Sequence, residues 1–253
     1  MRIIQFTDTH LVEPGETLKG LDPKVRLDIG IAHAMERFSG ADLWVITGDL
    51  TNEGTTDAYK SLKATLAPIT DPLQLMIGNH DDRQNFCTAF PDTSMDGQGF
   101  VQSVLDYEQF RLIFLDTNEP GTPAGVYCDK RANWLQSALD GAGERDIYLF
   151  MHHPPFAIGI PRLDQMSLDP ESRFFEIVEG RGNIRHIFFG HVHRPVSGQW
   201  KGISYSALKG TNHQVELNFE TPKLIYALEL PSYAVIDLEP GHTRVHLMDY
   251  EVS

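Results

Sequence analysis

The sequence predicts an α/β fold built from βαβ units, and two observations carry that reading. Short apolar runs alternate with amphipathic helical stretches along the first half of the chain. Several of those runs end in Asp, His or Asn, at the edge where open α/β sheets bind ligands. Ile77-Gly78-Asn79-His80-Asp81 is the densest instance. An apolar run over 73–77 meets a glycine that lets the backbone turn, and an amide, an imidazole and a carboxylate follow in a row.

Residues 3–6 are the first expected strand, leading into Asp8 and His10. Two apart in extended backbone, these point to one face and can reach one metal ion. After the Gly- and Pro-containing loop 13–20, Asp22 is the expected cap of a helix with Pro23 at its first position. Leu27, Ile31, Ala34 and Phe38 recur there at helical spacing. A strand over 43–46 ends at Gly48-Asp49, and Thr55 or Thr56 caps a second helix with Tyr59, Leu62 and Leu66 inside. Pro68 ends it, and the strand over 73–77 follows.

The middle predicts strands over 99–107 and 110–115, paired as a hairpin across Glu108-Gln109. Asp129 is the expected cap of a helix carrying Trp134, Leu135, Ala138 and Leu139, stopped by Gly141. A strand over 146–151 delivers His152-His153-Pro154-Pro155; neighbouring strand residues face opposite ways, so at most one of these histidines is expected in a shared site. The loop 156–169, with Arg162, Asp164 and Met166, can overhang that site. Pro170 opens a helix with Phe174, Phe175 and Val178 inward. The strand over 185–189 ends in Gly190-His191-Val192-His193, while His186, inside the run, reads as a packing residue. The remainder is β-rich, with strands expected over 203–208, 224–230, 233–238 and 243–248 and turns at Pro222, Pro231 and Pro240-Gly241. Gly210-Thr211-Asn212-His213 interrupts it with one more histidine. With no linker or repeat, one domain over 1–253 is expected, its part 200–253 completing a second sheet.

Composition narrows the function. The 253 residues carry a formal charge of −14, which repels duplex nucleic acid, and 41% are hydrophobic, enough for a sizeable core. Cys87 and Cys128 make no metal-ribbon spacing and are expected as free thiols. No leader pattern precedes the first strand and no apolar stretch reaches membrane-spanning length, so a cytoplasmic protein that does not enter the membrane is expected. The crowd of apolar residues at Leu217, Phe219, Leu224, Ile225, Tyr226, Leu228 and Leu230 cannot all face one core, which predicts a homodimer or higher homo-oligomer through residues 215–235.

The strand ends together supply Asp8, His10, Asp49, Asn79, His80, His152, His191 and His193. Oxygen and imidazole donors without a thiolate favour Fe, Mn, Zn or Co. They are too many for one tetrahedral ion, and two ions sharing a carboxylate would use them. The motifs Asp8-Thr9-His10, Gly48-Asp49, Gly78-Asn79-His80-Asp81, His152-His153-Pro154-Pro155 and Gly190-His191-Val192-His193 stand in an order that resembles the calcineurin-like metallophosphoesterases, over residues 3 to about 195. The likeness is greatest to the bacterial branch of cyclic-nucleotide and glycerophosphodiester phosphodiesterases, in which a loop like 210–215 brings a histidine near the active site.

That resemblance implies a four-layer α/β/β/α sandwich of two mixed sheets flanked by helices, the metallo-dependent phosphatase fold. It implies two divalent or trivalent metal ions, the first on Asp8, His10, Asp49 and His193, the second on Asp49, Asn79, His152 and His191. His80 would lie over the metals as a donor or acid, with Asp81 orienting it and His213 as a further candidate for the same role. The implied reaction is attack of a metal-bridging hydroxide on a small phosphodiester. A phosphomonoesterase or nucleotide pyrophosphatase on the same fold, and a metal-free scaffold binding a protein partner, are the alternatives.

Overall fold

Apolar runs become strands and amphipathic stretches become helices over residues 1–221 and 223–252, which the computed structural model describes. The chain begins β1 (Arg2–Phe6), α1 (Pro23–Arg37), β2 (Leu43–Thr47), α2 (Thr56–Leu66) and β3 (Leu73–Met76). Asp22 caps α1, its carboxylate accepting from Lys24 N at 2.9 Å and Val25 N at 3.1 Å. Of the two threonines, Thr55 caps α2 by accepting from Ala58 N. Next come α3 (Arg83–Ala89), β4 (Ser103–Asp106), β5 (Phe110–Phe114), α4 (Asp129–Asp140) and β6 (Asp146–Met151). Then follow α5 (Pro161–Asp164), α6 (Phe174–Val178), β7 (Ile184–Phe189), β8 (Val196–Trp200) and β9 (Ile203–Ala207). The chain closes with the short β10 (Gln214–Val215) and β11 (Tyr226–Ala227), then β12 (Ser232–Glu239) and β13 (His242–Asp249).

Two mixed sheets result. The first has the order β13-β12-β1-β2-β3, with β1, β2 and β3 parallel and β12 antiparallel to β1. The second has the order β4-β5-β6-β7-β9-β8, with β5, β6, β7 and β9 parallel and the two edge strands antiparallel. The sheets stack because alternate strand residues are apolar on both faces. Val45, Phe114, Phe150, Phe188 and Ile236 meet in one buried layer between them. Leu27, Ile31, Tyr59 and Leu62 of α1 and α2 cover the outer face of the first sheet, and Leu135, Leu139, Phe174 and Val178 of α4 and α6 cover the second. Three apolar layers thus separate four layers of structure, α/β/β/α.

The tail departs from expectation. β12 and β13 extend the first sheet, because β12 is buried on both faces and pairs with the open side of β1; of the residues after 200, β9 is the strand that lies inside the second sheet. The strand expected over 224–230 shrinks to Tyr226–Ala227, since Ile225, Leu228 and Leu230 are exposed and find no sheet to lie on. The turn expected at Pro222 lies outside the described residues. The strand expected over 99–107 contracts to Ser103–Asp106, behind a left-handed Gly99. Cys128, not Asp129, is the cap position of α4, and α6 starts at Phe174, after the expected Pro170. The helix α3, capped by Asp82 on Asn85 N, and the polar edge strand β8 had no clear periodic signal. Among the described residues no helix is long and apolar enough to cross a membrane.

His186 packs as the sequence reading expects. It lies buried in β7, stacked on Phe188 at 4.1 Å, with Nε2 hydrogen-bonded to Ser206 Oγ at 2.9 Å. Burial pushes its pKa down from 6.5 to about 4. The neutral form is therefore favoured in the folded state, and the stabilisation is complete above pH 6.5 and lost as pH falls towards 4. We expect this one group to remove on the order of 3 kcal/mol of unfolding free energy over that window. Urea unfolding of wild type and His186→Asn across the window checks it; parallel pH curves would mean that another group is responsible.

Candidate metal centre

The centre lies where the carboxyl ends of both sheets meet. The loop after β1 supplies Asp8 and His10, that after β2 supplies Asp49, and that after β3 supplies Asn79 and His80. From the second sheet come His152 and His153 after β6 and His191 and His193 after β7. The backbone there is not extended, as the two-residue spacing had suggested. Asp8, His10, Asp49, His191 and His193 all have φ between 46° and 69°. Such left-handed backbone costs a non-glycine residue about 1–2 kcal/mol. Hydrogen bonds from Asp8 N to Gly48 O, His10 N to Asp49 O and Leu11 N to Leu50 O hold two of these loops together beyond the sheet. Gly78 is required for space and not for its φ, because a methyl group there would strike the Asp49 carboxylate and come within 2.6 Å of His152 Nε2.

The side chains converge in two groups joined by Asp49. Asp8, His10, Asp49 and His193 form the first, with Asp8 Oδ1 3.3 Å from His193 Nε2 and Asp49 Oδ2 3.5 Å from His10 Nε2. The other carboxylate oxygen, Asp49 Oδ1, lies 3.3 Å from His152 Nε2. His152, His153 and His191 form a second group. Both histidines of the pair 152–153 are therefore buried in the cluster; β6 ends at Met151, so strand alternation no longer separates them. His213 also reaches the centre, its ring 4.5 Å from that of His193.

Hydrogen bonds fix the rings. His152 Nδ1 donates to Thr47 O at 2.8 Å, and His193 Nδ1 donates to His213 O at 2.7 Å. Each leaves its Nε2 lone pair facing the cluster. Asn79 Oδ1, His152 Nε2, His153 Nε2 and His191 Nε2 are buried without a hydrogen-bond partner, which is rare for polar atoms in a folded protein. His10 Nε2 and His193 Nε2 face each other at 3.1 Å, where two lone pairs repel unless a proton or cation intervenes. This donor set fits divalent cations, and the two groups are compatible with a dinuclear site.

The charges agree. Burial opposes ionisation of Asp8 and Asp49, yet His193 beside Asp8, and His152 and His10 beside Asp49, hold both carboxyls below the usual range. In return, against the effect of burial, the two carboxylates raise His152 to about 9 and raise His193. His10 and His191 are pushed down to about 3, chiefly by burial. The two carboxylates thus favour protons on His152 and His193, and a cation held by these residues would take over that compensation.

Asp81 does not orient His80. Its carboxylate accepts from Leu50 N, Thr51 N, Gly78 N and Tyr59 Oη, at 2.9–3.1 Å, and so ties the Asp49 loop to the Asn79 loop. Burial and the nearby Asp49 raise Asp81 to about 6. His80 is instead held by Nδ1 donating to Asn52 O at 2.8 Å, and it faces the pocket. The sequence reading also missed the support behind this loop. Asn118 donates to Gly78 O and Asp81 O, and Arg83 and the fully buried Arg131 both donate to Asn118 O. These contacts join residues too far apart in the chain for any local signal to reveal. The centre opens into a pocket of about 390 Å³ lined also by the buried Leu163 and Met166 and, at its more exposed side, by Lys19, Arg162 and Tyr226.

The fold and the donor set both have known counterparts. A solved dimetal phosphatase from Danio rerio superposes over 99% of both chains with a TM-score of 0.69 and 12% sequence identity, a likeness of fold. The chain is 34% identical to a probable cyclic nucleotide phosphodiesterase of Rhodopseudomonas palustris over 97% of this chain and 91% of that one. It is 28% identical to a glycerophosphodiester phosphodiesterase of Enterobacter lignolyticus over 92% and 85% of the two chains. A cyclic adenosine monophosphate phosphodiesterase of Pseudomonas aeruginosa is 29% identical over 78% and 71%. The family profile described as calcineurin-like phosphoesterase matches residues 1–195. The chain belongs to the calcineurin-like phosphoesterase family.

Proposed function

We propose that the protein hydrolyses a small phosphodiester, of the cyclic-nucleotide or glycerophosphodiester type, at a dinuclear metal centre. The observation that carries this reading is Asp49, whose two carboxylate oxygens address the two donor groups separately. Asp8, His10, Asp49 and His193 would hold one ion, and Asp49, Asn79, His152 and His191 the other. Such ions supply Lewis acidity to the phosphoryl oxygens and an activated water as nucleophile. The chain's own residues do the rest. His80, hydrogen-bonded through Nδ1 to Asn52 O, presents Nε2 to the pocket, where its protonated form can protonate the departing alkoxide. His213, on the same wall, can donate to a phosphoryl oxygen. Asp81 acts through position, holding the loops of Asp49 and Asn79 together. The intact donor set speaks against a metal-free scaffold. The relatives' names favour the diester over a monoester or pyrophosphate. Free thiols at Cys87 and Cys128 suit the expected cytoplasmic location.

The segment 215–235 supports self-association. Leu217, Phe219 and Leu228 are 48%, 64% and 68% exposed, and β11 has an open edge beside its short ladder with β10. We propose a homodimer in which a second copy of this chain covers that face.

Removing the shared carboxylate tests the centre. Asp49→Ala is expected to lose bound Mn²⁺ and hydrolysis of bis(p-nitrophenyl) phosphate while keeping its far-ultraviolet circular dichroism; wild-type turnover at ordinary metal concentration would sink the dinuclear reading. His80→Ala is expected to retain metal but lose about 10²–10⁴-fold in kcat. The loss should be greater for a ribose or glycerol leaving group than for p-nitrophenolate. Metal loss in His80→Ala would make His80 a ligand, and equal losses on both leaving groups would make it a charge stabiliser. Sedimentation at micromolar concentration checks the dimer: Phe219→Asp with Leu228→Asp should yield monomer, and a monomeric wild type refutes the pairing.

A further inference from the structure

Two cations stand at the mouth of the pocket with nothing acidic to answer them. Lys19 and Arg162 line it, and among the described residues neither has a carboxylate oxygen within 4.0 Å. The chain as a whole carries a formal charge of −14. Elsewhere Arg2, Arg83, Arg111, Arg185 and Lys209 are each paired with an aspartate.

Neither cation is loose. Lys19 has φ 57°, a left-handed backbone uncommon for a lysine. Here Leu18 and Leu21 exchange backbone hydrogen bonds at 2.8 and 3.1 Å, and Asn212 Nδ2 donates to Leu18 O. The Lys19 ammonium rests 3.9 Å from the centroid of the Tyr226 ring, and Tyr226 is itself positioned by pairing with Val215. Arg162 arrives from the other sheet, on α5, where Pro161 occupies the first turn and Asp164 Oδ1 accepts from Ile158 N at 2.7 Å. Its side-chain partner is the amide oxygen of Gln165. Two cations without a carboxylate partner, Lys19 after β1 and Arg162 on α5 between β6 and β7, therefore flank one cavity, with the apolar Leu163, Met166 and Leu224 also in its walls.

The scissile phosphate does not need them. The metal ions and the imidazoles of His80 and His213 already face the reacting phosphorus in the reading above. We propose that the substrate carries a second anionic group, a phosphate elsewhere on the same small molecule, and that Lys19 and Arg162 bind it. This rests on the phosphodiesterase reading and narrows its substrate class. The apolar walls would take the ring or chain that joins the two phosphates, and a cationic head group such as choline would be disfavoured at this mouth by like charge.

Three chromogenic esters test it in the Mn²⁺-loaded protein: bis(p-nitrophenyl) phosphate, thymidine 5′-(p-nitrophenyl phosphate), and the latter carrying a 3′-phosphate. Wild type should prefer the 3′-phosphorylated thymidine ester over the unphosphorylated one by about tenfold in kcat/KM, the worth of a charge-assisted contact. Lys19→Gln and Arg162→Gln should each cut that preference severalfold, and together reduce it to near one, through KM and not kcat. Lys19→Arg should restore most of it. Both residues sit at the pocket's mouth, so thermal melting is expected to match wild type. A preference at or below one in wild type, or an unchanged preference in the double variant, overturns the second-anion site while leaving the phosphodiesterase reading standing. Failure to hydrolyse any of the three esters overturns that reading and this one with it.

Discussion

Two carboxylates buried side by side set the terms for the rest of the molecule. Asp8 and Asp49 are 0% and 2% exposed, and an ionised carboxylate so placed needs positive charge or donated hydrogen bonds to remain. His191 N donates to both oxygens of Asp8, Thr7 Oγ1 to one of them, and His80 N to Asp49. Asp8, Asp49 and His191, which accept or donate in these bonds, all have left-handed backbone. The strain of the backbone and the satisfaction of the charge are thus one arrangement.

The same constraint explains why the site spans two sheets. The first sheet contributes both carboxylates, and the second contributes His152 and His193, the imidazoles that chiefly offset them, with His10 of the first sheet assisting at Asp49. Neither sheet alone would leave a charge-balanced edge. The apolar layer between them, with Phe150 stacked on Phe114 and Phe188, fixes the spacing of the two edges, so packing well below the site decides the distances within it. The brace through Arg131, Asp116 and Asn118 does this for the His80 loop. It carries the position of β5 in the second sheet across to the backbone of Gly78 and Asp81 in the first.

The donor residues were legible because each sits within a few positions of a strand end, where a local apolar run announces it. Asp49, His152 and His193 could be gathered from spacing alone, and their order made the family recognisable. The manner in which they are presented was not legible. Extended geometry was the natural reading for Asp8-Thr9-His10, whereas the left-handed turn depends on partners some forty residues away at Gly48 and Asp49. Asp81 beside His80 invited a direct pairing, yet its acceptors are filled by Gly78 N and by groups 22–31 residues distant. The destination of β12 was equally hidden. Its largely unbroken apolar run, Tyr233 to Ile236, marks a strand buried on both faces but does not say which of two sheets has room.

The pairing of β1 with β12 has a consequence for how the chain reaches its fold. Arg2 lies opposite Asp237, so the inner strand of the first sheet acquires its second neighbour from residues 235 positions further along the chain. During synthesis, β1, β2 and β3 can assemble early through local crossovers, but one side of β1 then waits with its amides and carbonyls open. The second sheet can be largely complete before that gap closes. A chain ending before residue 232 would leave the apolar strand β1, directly beneath the Asp8 loop, with an unpaired edge open to association with other chains.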